Sequence, residues 1–223
     1  EGGLPLLGSD CDPLVPTFCG LPVPSNVYLL PDETGRNPSG MRVSFGETTL
    51  PQRTFDGVHV DPSLFHDHDG FSPATGIFTH LPLATSAGCA TPYDIERSLA
   101  SDSPTILIDA ETGERIPHWV DLDLSTDNDG LDGRPDERAI MLRPAVRLDG
   151  ARRYIVAFRN IQDVSGAVIP AGRVFAALRD GADLNDGSDV ERWSIYARRG
   201  PYSDIVSRLG GAGLPRAGLQ IAR

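Results

Sequence analysis

The sequence predicts a mainly β fold, an antiparallel β-sandwich with an extended Pro-rich arm before it and short helices after it. Between residues 71 and 185, short apolar or alternating runs recur between turn residues, which is typical of a sandwich. Residues 1–40 are rich in proline and glycine, which disfavours helices and restricts strands to sheet edges. After residue 185 the apolar residues repeat with a helical period.

These patterns divide the chain into three segments. Residues 1–70 are predicted to form the N-terminal arm, which ends with a first strand around the sequence MRVSFG. Residues 71–185 are predicted to form the β-sandwich, and residues 186–223 a helical segment.

The strands of the sandwich are predicted from their periods and from the turns between them. GIFTHL alternates and stops at Pro82, and PTILID and IPHWVDLDL are expected to pair as a hairpin through the turn AETGER. RAIMLRPAVRL and RRYIVAFRNI are separated by the Asp149–Gly150 turn. RVFAALRD is predicted to be the closing strand.

The helical segment shows start and stop signals for two helices. Ser188 followed by Glu191 forms a capping-box pattern at the start of the first helix. Pro201 is acceptable at the start of a second helix, which Gly210 and Gly211 are expected to end. Trp193 in this segment and Trp119 in a predicted strand are both interpreted as core residues.

Composition excludes several classes of partner. The formal net charge is −11 at pH 7 and the isoelectric point is about 4.8, which argues against nucleic acid and anionic membranes as ligands. No apolar run approaches the roughly 20 residues that a membrane-spanning helix needs. The sequence therefore predicts neither a nucleic-acid-binding protein nor a membrane span.

The cysteines indicate the compartment. Cys11 and Cys19 lie close together in a Pro-rich segment that has too few apolar residues to form its own core, and a disulfide between them is predicted. Cys89 is then unpaired and is interpreted as a small buried apolar residue. The disulfide predicts a secreted protein, located extracellularly, in the periplasm or at the cell surface.

An Asp-rich segment lies between two predicted strands and allows three interpretations, a calcium-binding loop, a solvated hairpin loop or a catalytic carboxylate pair, and the last has no predicted substrate cleft near it. If Gly130 is the turn glycine of an EF-hand-like loop, oxygen ligands for calcium come from Ser125, Asp127, Asp129, Asp132 and Asp136. Serine at the first position, aspartate at the last and the flanking strands all depart from that pattern. We therefore interpret the segment as a solvated hairpin loop and keep calcium binding as the alternative.

A second polar cluster combines histidine with aspartate. It comprises His59, His66, Asp67, His68 and Asp69, which are residue types that can bind zinc. The alternating spacing in an irregular loop favours a polar turn.

A serine nucleophile has little support in this chain. The sequence lacks G-x-S-x-G, and ATSAG around Ser86 is a degenerate version of it without the expected strand and helix on either side. A stand-alone hydrolase would need Ser86 with His80 or His118 as its base. We therefore predict that this chain carries no catalytic residues.

Five segments together resemble a known family. They are CDPLVPTFCGLPVPSNVYLLPD, DGFSPATGIFTHLP, ILIDAETGERIPHWVDLD, IMLRPAVRLDGARRYIVAFRNIQDVSGAVI and VFAALRDG. They are similar to the N-terminal region of large secreted bacterial proteins, in which an Ig-like β-sandwich precedes an α/β-hydrolase domain. Bacterial virulence-factor lipases have a related layout. The resemblance covers roughly residues 10–222, and within it GLQIA resembles the place where the family's chain continues toward the hydrolase.

The resemblance implies an accessory role. The chain would be the non-catalytic N-terminal domain of a secreted esterase- or lipase-like serine hydrolase, and it would pack on or shield the catalytic portion. Its partner would be the α/β-hydrolase portion of the same precursor, which this chain does not contain. The Asp-rich insertion at residues 123–136 departs from the family, so the resemblance implies no metal role there. The alternative hypothesis is a calcium-binding extracellular adhesion or structural module.

Overall fold

The structure is a computed structural model that describes residues 10–124 and 136–223. This part of the chain is mostly β, with antiparallel sheets and two α-helices. The strands are β1 Leu29–Pro31, β2 Met41–Val43, β3 Ile77–Thr79, β4 Thr105–Asp109, β5 His118–Leu122, β6 Ile140–Pro144, β7 Tyr154–Arg159 and β8 Leu219–Ala222. The helices are α1 Arg173–Asp180 and α2 Asp189–Gly211, with short 3₁₀ turns at Asn26–Tyr28, Pro62–Phe65 and Ile95–Leu99. No helix in the described ranges is long and apolar enough to cross a membrane.

The strands form three antiparallel sheets, β1–β2, β3–β6–β5 and β4–β7–β8. The predicted hairpin of β4 with β5 is confirmed only at its turn, where Ile108 forms an antiparallel bridge with Arg115 and the amide of Ile116 donates to the carbonyl of Leu107 at 2.8 Å. Beyond that turn the two strands separate, because β4 pairs with β7 and β5 pairs with β6. Burial explains this choice. Every residue of β4 is buried and β7 is buried along nearly its whole length, whereas β5 and β6 share one half-exposed pattern. Strands pair with partners whose faces have the same burial.

The predicted closing strand RVFAALRD is helix α1, so that prediction is wrong. Its buried residues Val174, Ala177 and Leu178 repeat at helical spacing, and Gly181 ends the helix with a φ of 68°. The edge strand of this sheet is instead β8, which pairs antiparallel with β7. The run LQIAR is therefore a paired strand.

The two predicted C-terminal helices are one helix, α2, which has 23 residues and contains Pro201. The capping box of Ser188 and Glu191 is confirmed, as is the helix end at Gly210 and Gly211. The helix continues through Pro201 because Ile195, Tyr202, Ile205 and Leu209 bury one continuous face. This packing outweighs the backbone hydrogen bond that proline cannot donate.

The N-terminal segment is attached to the rest of the fold. The disulfide between Cys11 and Cys19 is confirmed, and Leu14 and Val15 lie in the same hydrophobic core as the strands and helices. Val23 and Phe78 exchange backbone hydrogen bonds of 2.7 and 3.0 Å, which ties the segment to β3. Three points stay predictions. They are the arrangement of the sheets as an Ig-like sandwich, the extended form of the N-terminal arm, and the division of the chain at residues 70 and 185.

Candidate functional site

The Asp-rich segment lies largely outside the described residues. Ser125, Asp127, Asp129 and Asp132 belong to the range 125–135, and Asp136 is the candidate ligand that the structure describes. The backbone carbonyl of Asp136 accepts a hydrogen bond of 2.6 Å from Nε2 of His80. Within the described ranges, no three His, Cys, Asp or Glu side chains are placed to hold a metal ion.

His80 joins two distant parts of the chain. Since a carbonyl only accepts, Nε2 carries the proton, and Nδ1 accepts from the hydroxyl of Thr17 at 3.0 Å. The ring is 4% exposed, and burial lowers its pKa below the ordinary value of 6.5. Neutral His80 therefore holds the end of the Asp-rich segment against the loop that the disulfide closes.

His118 is the second candidate base, and its ring is fully buried in β5. Nδ1 donates to the carbonyl of Ile116 at 2.8 Å, and Nε2 accepts from the hydroxyl of Thr105 at 3.0 Å. Burial lowers the pKa of His118 as well. Both ring nitrogens are engaged in structural hydrogen bonds, so neither this ring nor His80 is placed to activate Ser86, which lies exposed on a turn.

The histidine–aspartate cluster of residues 59–69 does not converge on one point. His59 contacts the carbonyl of Leu50 and the side chain of Gln52, at 2.5 and 3.1 Å. His68 packs edge-on against the ring of Phe65, with 5.9 Å between ring centroids. These contacts correspond to the polar turn that the spacing favoured.

The two tryptophans differ in exposure. Trp119 is partly buried and donates to Asp121 at 3.2 Å. Trp193 is 67% exposed, so the prediction that it lies in the core is wrong. It projects from the face of α2 opposite Ile195 and Leu209, beside Tyr196, which is 75% exposed.

The sequence analysis did not predict a buried polar cluster that joins the N-terminal segment, α2 and the residue that follows β8. Its members, called here the buried charge cluster, are Asp12, Tyr28, Arg198, Tyr202 and Arg223. The carboxylate of Asp12 is fully buried and pairs with Arg198 at 2.9 Å. Arg223 donates to the carbonyls of Val23 and Phe78 at 2.7 and 3.3 Å.

Burial controls the ionisation of this cluster. It raises the pKa of Tyr28 and of Tyr202 well above their ordinary value, so both hydroxyls stay neutral. It lowers the pKa of Arg223 to about 9, which leaves the guanidinium charged at neutral pH. Arg198 is thus the guanidinium that pairs with the buried carboxylate of Asp12, and Arg223 adds a second buried positive charge that is held by backbone carbonyls. Sequence reasoning missed these residues because the partners are far apart along the chain; Asp12 and Arg198 are 186 positions apart.

Comparison of the chain with protein-family models, with curated proteins and with solved structures found no match.

Proposed function

We propose that this chain is a non-catalytic accessory domain of a secreted, bacterial, esterase- or lipase-like serine hydrolase. It packs on or shields the catalytic portion, which acts on ester bonds. One observation carries the non-catalytic part of the proposal: His80 and His118, the candidate bases for Ser86, each use both ring nitrogens in structural hydrogen bonds. A general base needs a free nitrogen within reach of the hydroxyl that it activates.

The segments that carry the resemblance support the assignment to an accessory domain. They contain β1, β3, β5, β6 and β7, and all but the first residue of β4 and of α1. These elements supply much of the hydrophobic core. A resemblance concentrated in core elements concerns the whole domain and not an isolated surface motif.

The disulfide supports the secreted location. Cys11 and Cys19 are bonded, and disulfides persist in oxidising compartments. Leu14 and Val15, inside the loop that the disulfide closes, are buried in the core. The bond therefore stabilises a segment on which the packing depends.

Strand β8 supports the proposed position of the catalytic portion. The resemblance places that portion after the segment Gly218–Ala222, and all four residues of β8 are buried. β8 pairs with β7, while Arg179 donates to the carbonyl of Leu219 at 2.8 Å. A catalytic portion that follows β8 would therefore begin directly after a strand that is bonded to β7 and to Arg179 of α1.

Native mass spectrometry of the protein isolated from its source tests the proposal. We expect the chain to be covalently linked to, or to co-purify with, a polypeptide of hydrolase size that hydrolyses p-nitrophenyl esters. Ser86→Ala should leave that hydrolysis unchanged. A chain that occurs alone, or one whose own ester hydrolysis is lost in Ser86→Ala, would refute the accessory role.

A calcium-binding extracellular module is the second candidate. The hydrogen bond from His80 to Asp136 favours it, because that contact fixes one end of the segment that holds the other four candidate ligands. A fixed end reduces the ordering that a cation must impose on its loop. Calorimetric titration with calcium, with Asp127→Ala as the control, tests this candidate.

A further inference from the structure

Helix α2 has an exposed side that follows a heptad pattern. Six exposed residues alternate at steps of three and four, as the a and d positions of a coiled coil do. In order, this exposed seam consists of Trp193, Tyr196, Gly200, Ser203, Ser207 and Gly210. The opposite face of the helix is buried in the core.

The first half of the exposed seam presents two aromatic rings. The centroids of Trp193 and Tyr196 are 5.8 Å apart, and their planes are tilted by 31°. The two side chains are 67% and 75% exposed. Two large aromatic side chains on one helix face form an apolar surface that fits a concave partner.

The second half of the exposed seam borders a groove. A cavity of about 590 Å³ is lined by Ser203, Val206, Ser207 and Gly210 of α2 together with Leu214 and other residues of the turn after the helix. A Cβ atom built on Gly210 or on Gly200 would meet no atom within 4 Å. The chain's own side chains therefore leave this half of the seam unfilled.

We propose that two copies of the chain associate through α2, antiparallel, about a two-fold axis beside Pro201 and Tyr202. Positions equidistant from that axis face each other, so Trp193 of one copy meets Gly210 of the other. Tyr196 then meets Ser207, and Gly200 meets Ser203. Each large side chain of the exposed seam lies opposite a small one, as an isologous interface requires.

The size of the exposed seam predicts a weak dimer. It is about 26 Å long on a helix about 10 Å wide. Each copy therefore buries roughly 260 Å², about a third of the ~800 Å² per partner that stable interfaces bury. We expect a dissociation constant on the order of 10–100 μM. Each copy carries a net charge of −11, so salt should strengthen the dimer by screening the repulsion between the copies.

Sedimentation equilibrium of the full chain, from about 1 to about 500 μM, measures the association. Trp193→Ala removes the aromatic side chain, and Gly210→Trp fills the groove. Each single variant is expected to weaken association at least about tenfold. The double variant W193A/G210W exchanges the large and the small side chain and should restore association. Tyr93→Ala is the matched control, because Tyr93 is 98% exposed and lies outside α2.

Circular dichroism of each variant serves as the folding control, and native spectra are expected because both substituted positions are exposed. A wild-type chain that stays monomeric at about 500 μM would overturn the proposal. So would a dimer that neither single variant weakens, or one that the double variant fails to restore. The interface does not depend on the accessory role: native mass spectrometry tests the catalytic partner, and sedimentation tests the second copy.

Discussion

Replacing Arg198 by Met is expected to destabilise the fold much more than replacing Arg199, its neighbour on α2. Met keeps an apolar stem at position 198 but removes the guanidinium that pairs with Asp12 at 2.9 Å. The Asp12 side chain has no exposed surface, so its carboxylate would stay buried with one remaining hydrogen bond, from the backbone of Leu14 at 3.0 Å. Leaving a buried charge without its partner costs about 3–5 kcal/mol.

The expected value lies near the lower end of that range, because the side chain of Arg198 is 15% exposed and solvent screens part of the interaction. We predict a loss of about 3 kcal/mol in the free energy of unfolding. Arg199 pairs with Asp183 at 2.5 Å, but those side chains are 47% and 76% exposed. Arg199→Met should therefore change stability by no more than about 0.5 kcal/mol.

Urea unfolding followed by far-ultraviolet circular dichroism measures both variants, at protein concentrations below about 1 μM so that association does not contribute. The m-value should stay constant, which shows that the denatured state is unchanged. The double variant D12N/R198M completes a thermodynamic cycle, because Asn keeps an acceptor for the Leu14 amide. We expect a coupling energy of about 2 kcal/mol.

Two results would refute the reasoning. One is that Arg198→Met and Arg199→Met destabilise the chain equally. The other is a coupling energy below about 0.5 kcal/mol, which is the value typical of a solvent-exposed pair. Either would mean that the buried charge cluster does not join the N-terminal segment to α2 in solution.

Three further predictions concern pH, the disulfide and calcium. Because burial lowers the pKa of His118, the unfolded chain binds a proton below about pH 6.5 that the native chain does not. Stability should therefore fall as the pH drops through 6.5 toward the folded pKa, by up to about 1.4 kcal/mol per pH unit. Unfolding at several pH values should show a shallower slope for His118→Asn, and an identical slope would contradict the prediction. The Cys11–Cys19 disulfide closes a loop with a sequence separation of 8, so replacing both cysteines by serine should cost about 2.5 kcal/mol; an unfolding midpoint insensitive to reduction would count against it. Calcium should leave the unfolding midpoint unchanged if the Asp-rich segment is a solvated loop. A gain approaching about 2.7 kcal/mol at a hundredfold excess over the dissociation constant, reversed by EDTA, would instead establish the calcium module.

Features encoded by neighbouring residues were predicted correctly. The segments that contain β2 to β7 were located from their periods and turns, and Ser188 with Glu191 marked the start of α2. The cysteine spacing indicated the disulfide. Each of these depends on contacts within a few residues, which a sequence pattern contains.

The errors share a different cause. RVFAALRD holds apolar residues at both strand and helix spacing, and β8, which begins 39 positions after that run ends, is the strand that pairs with β7 at the edge of the sheet. Pro201 interrupts a helix in isolation, yet the buried face of α2 carries the helix past it. Local propensity contributes only a few kcal/mol at most, and tertiary packing outweighs it.

The sequence by itself determined the antiparallel β character, the disulfide, the capped start of α2 and an acidic surface, because each results from local spacing or from summed charge. Only the tertiary structure decided that β4 pairs with β7, that Asp12 is buried against Arg198 and that Trp193 faces solvent. All three depend on which surfaces, far apart in the sequence, pack against each other and are removed from water. That competition involves the whole chain, so no single stretch of residues encodes its outcome.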